Sequence, residues 1–184
     1  MTSIIVFVVS FYAAIGLTTS VMKKIVKGEN TPMFSFEKDQ INVLKYSLLV
    51  ALCLIGLVLV TVLIAFITKS IGLGFIGTIL MIVVIPVSMV KFMLVIPSCV
   101  DDSVVGIKQS FIKTTGYELS LIGILLLLMV SVFVVAFIGL ISLAFISPIL
   151  VLVFGIVVNI VSQILGFVVA AKIYLHFKNN NLLD

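Results

Sequence analysis

The sequence predicts an all-α protein, an integral membrane helical bundle of about five transmembrane helices with one short cytoplasmic amphipathic helix, in a single domain over residues 1–184. Three observations predict it. First, 63% of the residues are apolar and only 10% charged, against roughly half and a quarter in an ordinary soluble domain, so too few polar side chains exist to cover a water-facing surface. Second, five apolar stretches approach or exceed the ~20 residues that a helix needs to cross a bilayer. Third, the lysines are distributed unevenly between the segments that join those stretches.

The first stretch, residues 3–19, contains nothing more polar than Ser10 and Tyr12 before its last residues. A cleaved signal peptide requires a basic leader and a small-residue cleavage site; only Met1 and Thr2 precede the run, so an uncleaved span is expected. The second and third, residues 44–68 and 71–90, are separated by Lys69 and Ser70 alone, which leaves room only for a tight turn. The fourth and fifth are residues 119–146 and 148–174. Pro148 opens the fifth, a first-turn position where its missing N–H costs nothing. Strict alternation places Lys23, Lys24, Lys27, Lys38, Lys45, Lys91, Lys108, Lys113, Lys172 and Lys178 on one side and Lys69 alone on the other. Excess lysine marks the cytoplasmic side, so the N-terminus is expected outside and the C-terminus inside. Tyr46, Tyr117 and Tyr174 fall at the cytoplasmic ends, where amphipathic rings anchor spans.

Two long loops face the cytoplasm. In the first, Gly28-Glu29-Asn30-Thr31-Pro32 is a turn cluster, and Glu37-Lys38-Asp39-Gln40 leads into the second span without a breaker, extending that helix inward. In the second, Lys91 to Ser120, Asp101 and Asp102 suit a helix start. Val104, Ile107 and Phe111 then recur at helical spacing, and Gly116 supplies a stop. Residues 102–115 are thus expected as an amphipathic helix, its lysines facing anionic head groups. The same face fits equally well against the ends of the chain's own spans.

Catalytic chemistry has little material here. Asp101 and Asp102 are adjacent, so on a helix they diverge by about 100° and do not share a proton. His176 has no acid or cysteine near it in sequence, and Cys53 and Cys99 form no metal or redox motif. No phosphate-cradling, dinucleotide or hydrolase motif is written. The dispersed +4 charge does not make a nucleic-acid footprint. An enzyme, a cofactor and a nucleic-acid partner are therefore not expected. Lys91 lies at the inner end of the third span with no acid in that span to pair with, and with Lys108 and Lys113 it is a candidate lipid head-group contact. On the fifth span, Gly155, Asn159, Ser162, Gln163, Gly166 and Ala170 form one stripe of small and amide side chains. Such stripes pack helices closely in lipid; here Gly139 and Ser142 of the fourth span are the expected mates, and Gly166→Leu is expected to force the two apart. A polar patch at Asn159, Ser162 and Gln163 is also what a transport site requires.

Lys91-Phe92-Met93-Leu94-Val95-Ile96-Pro97, then Asp101-Asp102, then Gly106-Ile107-Lys108-Gln109-Ser110-Phe111 and Thr114-Thr115-Gly116 opening a long apolar span, resembles the YciC-like and glycerophosphoryl diester phosphodiesterase membrane-domain superfamily. Lys23-Lys24-Ile25-Val26-Lys27-Gly28-Glu29 is similar to that family's other loop. The resemblance covers about residues 20–147. It departs from the family in having five spans where six are common, Lys where Arg is usual, and Phe111 where Trp often stands. It implies a multi-spanning bacterial inner-membrane protein with an envelope or lipid role and no catalytic residues of its own. The expected function is a non-enzymatic helper or a subunit of a larger membrane complex. Its expected partners are membrane lipids, other membrane proteins or a second copy, and a small transporter with a midplane site is the alternative. The pattern of span, basic loop and span also occurs twice, over residues 3–68 and 71–146.

Overall fold

The computed structural model describes the backbone of residues 2–30, 38–101 and 105–183, with side chains from residue 13 onward in those ranges except Thr78 and Met81. The described residues form helices joined by turns, with no strand among them: α1 Thr2–Val26, α2 Lys38–Ser70, α3 Gly74–Phe92, α4 Val95–Ser98, α5 Ile107–Lys113, α6 Glu118–Ala144 and α7 Pro148–Asn179. Four segments among them are long and apolar enough to cross a membrane: Lys38–Ser70, Gly74–Ser98, Glu118–Ala144 and Pro148–Asn179.

The sequence boundaries shift for identifiable reasons. Helix α2 begins at Lys38, as the uninterrupted polar lead-in requires. Residues 71–73, assigned by hydropathy to the third span, form the turn instead. Gly72 adopts φ +78°, its N–H reaches Lys69 O, and Leu73 N–H reaches Thr68 O at 2.8 Å. That is a left-handed helix stop favouring glycine. Pro148 stands in the first turn of α7 behind Ser147, whose hydroxyl accepts the Ile149 N–H. Helix α7 continues five residues past the expected Tyr174, to Asn179.

Two antiparallel hairpins, α2–α3 and α6–α7, carry the apolar length, and α1 packs on α7 and α2. Their middles are open. Leu52, Phe66, Leu127 and Phe133 are each about two-thirds exposed or more, a continuous apolar surface of the kind that meets acyl chains. Burial is concentrated at the lysine-rich end. Val90, Leu121, Tyr174 and Phe177 form one cluster there, and Met22, Val43, Cys99, Val100 and Ala171 another. The centre of that end is filled by the segment from Leu94 to Val100, where Leu94, Val95, Ser98 and Val100 have no exposed surface. This corrects the expectation that the whole 91–120 connection is a polar loop. An apolar run of about nine residues is too short to span a bilayer, and here it folds inward as a plug around α4.

Tyr174 is also corrected. It is fully buried rather than an interfacial anchor. Burial raises the Cys99 thiol to about 12 by desolvation, against which its own backbone and Ser98 hydrogen bonds act. As a thiolate is the reactive form, Cys99 should stay unmodified by maleimide in the folded protein at neutral pH and react once the protein is unfolded.

The close helix approaches do not lie on the expected stripe. A Cβ on Gly155 or Gly166 would meet nothing within 4 Å, whereas one on Gly77 would sit 2.6 Å from Ala65 Cα across the α2–α3 seam. Gly139 abuts the ring of Phe154, not Gly155. The expected cost therefore moves between helices. Gly77→Leu should destabilise the protein by about 1–3 kcal/mol through overpacking, and Gly166→Leu should leave thermal unfolding in detergent nearly unchanged.

Candidate functional site

The lysine-rich end holds the chain's organised polar chemistry. At the end of α1, Lys23 Nζ lies 3.0 Å from Asp39 Oδ2 at the start of α2, with Glu29 at 3.8 Å and Lys27 4.0 Å from the same Asp39 oxygen. Lys91 at the end of α3 repeats the arrangement. Its ammonium is 2.6 Å from Glu118 Oε1 at the start of α6, and it also donates to Thr115 Oγ1 at 3.0 Å and Phe111 O at 3.2 Å. The expectation that Lys91 lacks an acidic partner is therefore corrected; its carboxylate comes from the next long helix, 27 residues on. Its head is 11% exposed and turned into the protein.

Asp101 has a different task from the expected helix cap. Its Oδ2 accepts from the buried Tyr174 hydroxyl at 2.7 Å and from Lys178 Nζ at 2.6 Å, tying the plug to the end of α7. Asp102 and Val104 lie outside the described residues. The amphipathic helix is shorter than the expected 102–115: it runs from Ile107 to Lys113, with Gly106 as its N-cap and the Gln109 side chain accepting the Gly106 N–H. Gly116, at φ +90°, lies in the turn before α6.

Helix α5 is docked by the Ser110 hydroxyl as well as by apolar positions. Ser110 is fully buried and donates to Lys91 O, and the buried Thr114 donates to Ser110 O. Ile107 packs partly against Val50 and Val95, and Phe111 meets Phe92 edge-on at 5.2 Å. The opposite side stays open: Lys108 and Gln109 are exposed, with Ile112 beside them at 59% and Phe111 at 40%. Lys113 is half-buried and engaged within the protein. Of the three candidate head-group lysines, Lys108 alone is exposed; the structure does not gather the three into one cluster.

The candidate midspan patch is brought together. Asn159, Ser162 and Gln163 line a groove of about 800 Å³ between α7, α6 and the C-terminal end of α3, with Gly155 beside them and apolar side chains such as Met129, Val132 and Phe133 also lining it. Within α7 the polar groups already partner one another: Gln163 Nε2 donates to Asn159 Oδ1 at 2.8 Å and Ser162 Oγ to Val158 O at 2.6 Å. The amide pair uses one N–H and one oxygen in this bond. His176 is bonded to Asn180, and among the described residues no group of three His, Cys, Asp or Glu side chains is placed to hold a metal.

Compared with family models, curated proteins and solved structures, the chain matches none.

The Asp101 pairing gives a test by contrast. An asparagine at 101 still accepts the Tyr174 hydroxyl, whereas an alanine orphans it, at about 1–3 kcal/mol for a buried donor. Asp101→Ala should thus unfold at lower temperature than Asp101→Asn, and the gap should close in a Tyr174→Phe background.

Proposed function

We propose that this chain is a non-enzymatic multi-pass protein of the bacterial cytoplasmic membrane, a lipid- or envelope-related helper or a small subunit of a larger membrane complex. Helix α1, 25 residues long, serves as a fifth span beside the four apolar segments. The N-terminus then lies outside and the C-terminus in the cytoplasm, because the ends carrying ten of the eleven lysines are joined by the ion pairs and clusters of one face. The resemblance of residues 20–147 to the YciC-like superfamily points in the same direction.

The observation that carries the lipid reading is the open side of α5. Lys108, Phe111 and Ile112 are exposed together on a helix whose other side is fixed to the ends of the spans. A cation beside apolar side chains at that level matches the boundary between head groups and acyl chains. The absence of an enzymatic role is supported by the occupation of its acids: Asp39, Asp101 and Glu118 each neutralise a lysine in a structural pair. One surface lysine contributes about 1 kcal/mol toward anionic lipid. Lys108→Glu should therefore reduce retention of phosphatidylglycerol on the purified protein by about fivefold or more, an effect that added salt should shrink. Unchanged retention discards this role for α5.

The second reading, a small transporter, is favoured by the groove at Asn159, Ser162 and Gln163. Gln163 lies about 22 Å along α7 from Pro148 at the helical rise, well inside the hydrocarbon thickness. A cysteine at 163 separates the two. Labelling by a membrane-impermeant maleimide in intact membranes supports transport, and protection supports the helper.

A further inference from the structure

Lys172 differs from the paired lysines at the same end of the protein. Lys23, Lys91 and Lys178 each meet a carboxylate, whereas Lys172 is exposed on α7 with no ion pair or hydrogen bond among the described residues. It lines an open cleft of about 450 Å³ between the start of α6 and the end of α7, together with Ser120, Tyr117 and His176 over an apolar floor that includes Ile124 and Val168. No carboxylate is among the lining residues. The Asn180 amide lies 3.3 Å from His176 Nδ1; with the amide donating, the neutral ring carries its proton on Nε2 as a further donor. Cation, hydroxyls and imidazole thus share one cleft in which no described residue neutralises them.

The cleft continues inward. Leu128, Ser131 and Val132 of α6 and Val161 and Leu165 of α7 line a second cavity of about 360 Å³. On α6 the lining positions of the two cavities follow one another as 117, 120, 124, 128, 131 and 135, and on α7 as 176, 172, 168, 165, 161 and 157. Steps of three and four residues keep a single helix face, so the two cavities are successive parts of one seam. Ser120 lies about 36 Å along α6 from Ala144, and Lys172 about 36 Å along α7 from Pro148, at 1.5 Å per residue. Both stand just beyond a hydrocarbon core about 30 Å thick, at head-group level. From Leu121 to Val132 the apolar part of the seam runs about 17 Å, close to the depth of one leaflet.

We propose that the α6–α7 seam binds one anionic phospholipid, its phosphate held by Lys172, Ser120 and His176 and one acyl chain laid along the face from Ile124 to Ser131. The proposal rests on the membrane reading above and concerns a site distinct from α5. A phosphate there gains charge-assisted hydrogen bonds from donors that meet no carboxylate among the described residues, and the chain covers an apolar seam that the two helices leave unfilled.

The test uses the full chain in phosphatidylcholine nanodiscs containing a photo-crosslinkable phosphatidylglycerol, with crosslinks mapped to peptides. Crosslinks are expected in residues 120–132 and 161–176, reduced about fivefold or more by Lys172→Glu, the factor that one lysine supplies. Ser131→Phe, which fills the seam and leaves the charges in place, should also reduce them. Lys172 has no partner to lose among the described residues, so its variant should fold, and Lys108→Glu should leave these crosslinks intact. Crosslinks that ignore both variants overturn the proposal. Displacement by millimolar inorganic phosphate also overturns it, since it would show a site for the free anion. Crosslinks on α5 that fall with Lys108→Glu while the seam stays unlabelled overturn the seam site and leave the lipid-helper reading standing; no crosslink anywhere overturns both.

Discussion

Three lysine–carboxylate pairs hold the lysine-rich end together, and the rest of the architecture is arranged around them. Lys23–Asp39 joins α1 to α2, Lys91–Glu118 joins α3 to α6, and Lys178–Asp101 joins α7 to the plug. Helices solvated by acyl chains have no hydrophobic attraction for one another, because lipid is as apolar as leucine. Association must then come from close packing and polar contacts. Here the polar contacts are collected at one end, most of their charges less than a third exposed, where removing one partner strands the other. The apolar plug beneath them supplies the close packing. The middles of the helices, lacking both, stand apart and leave grooves.

The pairing also gives physical content to the repeated pattern of span, basic loop and span. In each half a lysine ending one helix finds an acid in the first residues of the next long helix: Lys23 with Asp39, then Lys91 with Glu118. Both placements agree with the helix dipole, cation at a C-terminus and anion at an N-terminus. The second half differs by carrying the plug and α5 inside its connection, and α5 is fastened to the same Lys91 through the Phe111 carbonyl and Ser110. A single lysine thereby couples α3, α5 and α6.

Much of the fold was legible in the sequence because it depends on composition and punctuation. The four long apolar segments, Pro148 at a helix start, the inward extension of α2 and the stop at Gly116 follow from residues within one turn of the feature they set. What escaped depends on contacts distant in sequence. Asp101 looked like a cap because two acids preceded a helical pattern, but its partners are 73 and 77 residues away. The Lys91–Glu118 pair has a signal in the sequence, since an acid at the mouth of an apolar segment, opposite the end of a lysine-bearing one, is itself a pairing signal. The plug was hidden inside a connection counted as polar; its signal was the unbroken run from Phe92 to Ile96. The stripe on α7 was expected to be a close seam, but Gly155 and Gly166 face open space and Gly155, Asn159, Ser162 and Gln163 line a groove, because small residues permit close approach and do not compel it. Gly77 lay outside any stripe, and its closeness to Ala65 follows from the short turn that brings α2 and α3 together.

The looseness of the bundle and its chemistry are then one subject. Helix α7 borders two grooves with opposite endowments: toward α3 and α6 it shows Asn159 and Gln163 at mid-depth, and along the α6 seam it is apolar until Lys172 and His176 at the end. An amide pair already bonded to itself has a reduced desolvation cost in an apolar surrounding, so the first groove would tolerate lipid without demanding a polar guest. The second has its cation and imidazole only toward the end of α7 and mostly apolar walls along the rest, where the Ser131 and Ser162 hydroxyls are already bonded to backbone carbonyls, the same division of polarity that a phospholipid carries along its length. On the lipid reading proposed above, acyl chains filling such grooves would restore the contacts that splayed helices lose, and lipid would be part of the packing of the protein as well as its solvent.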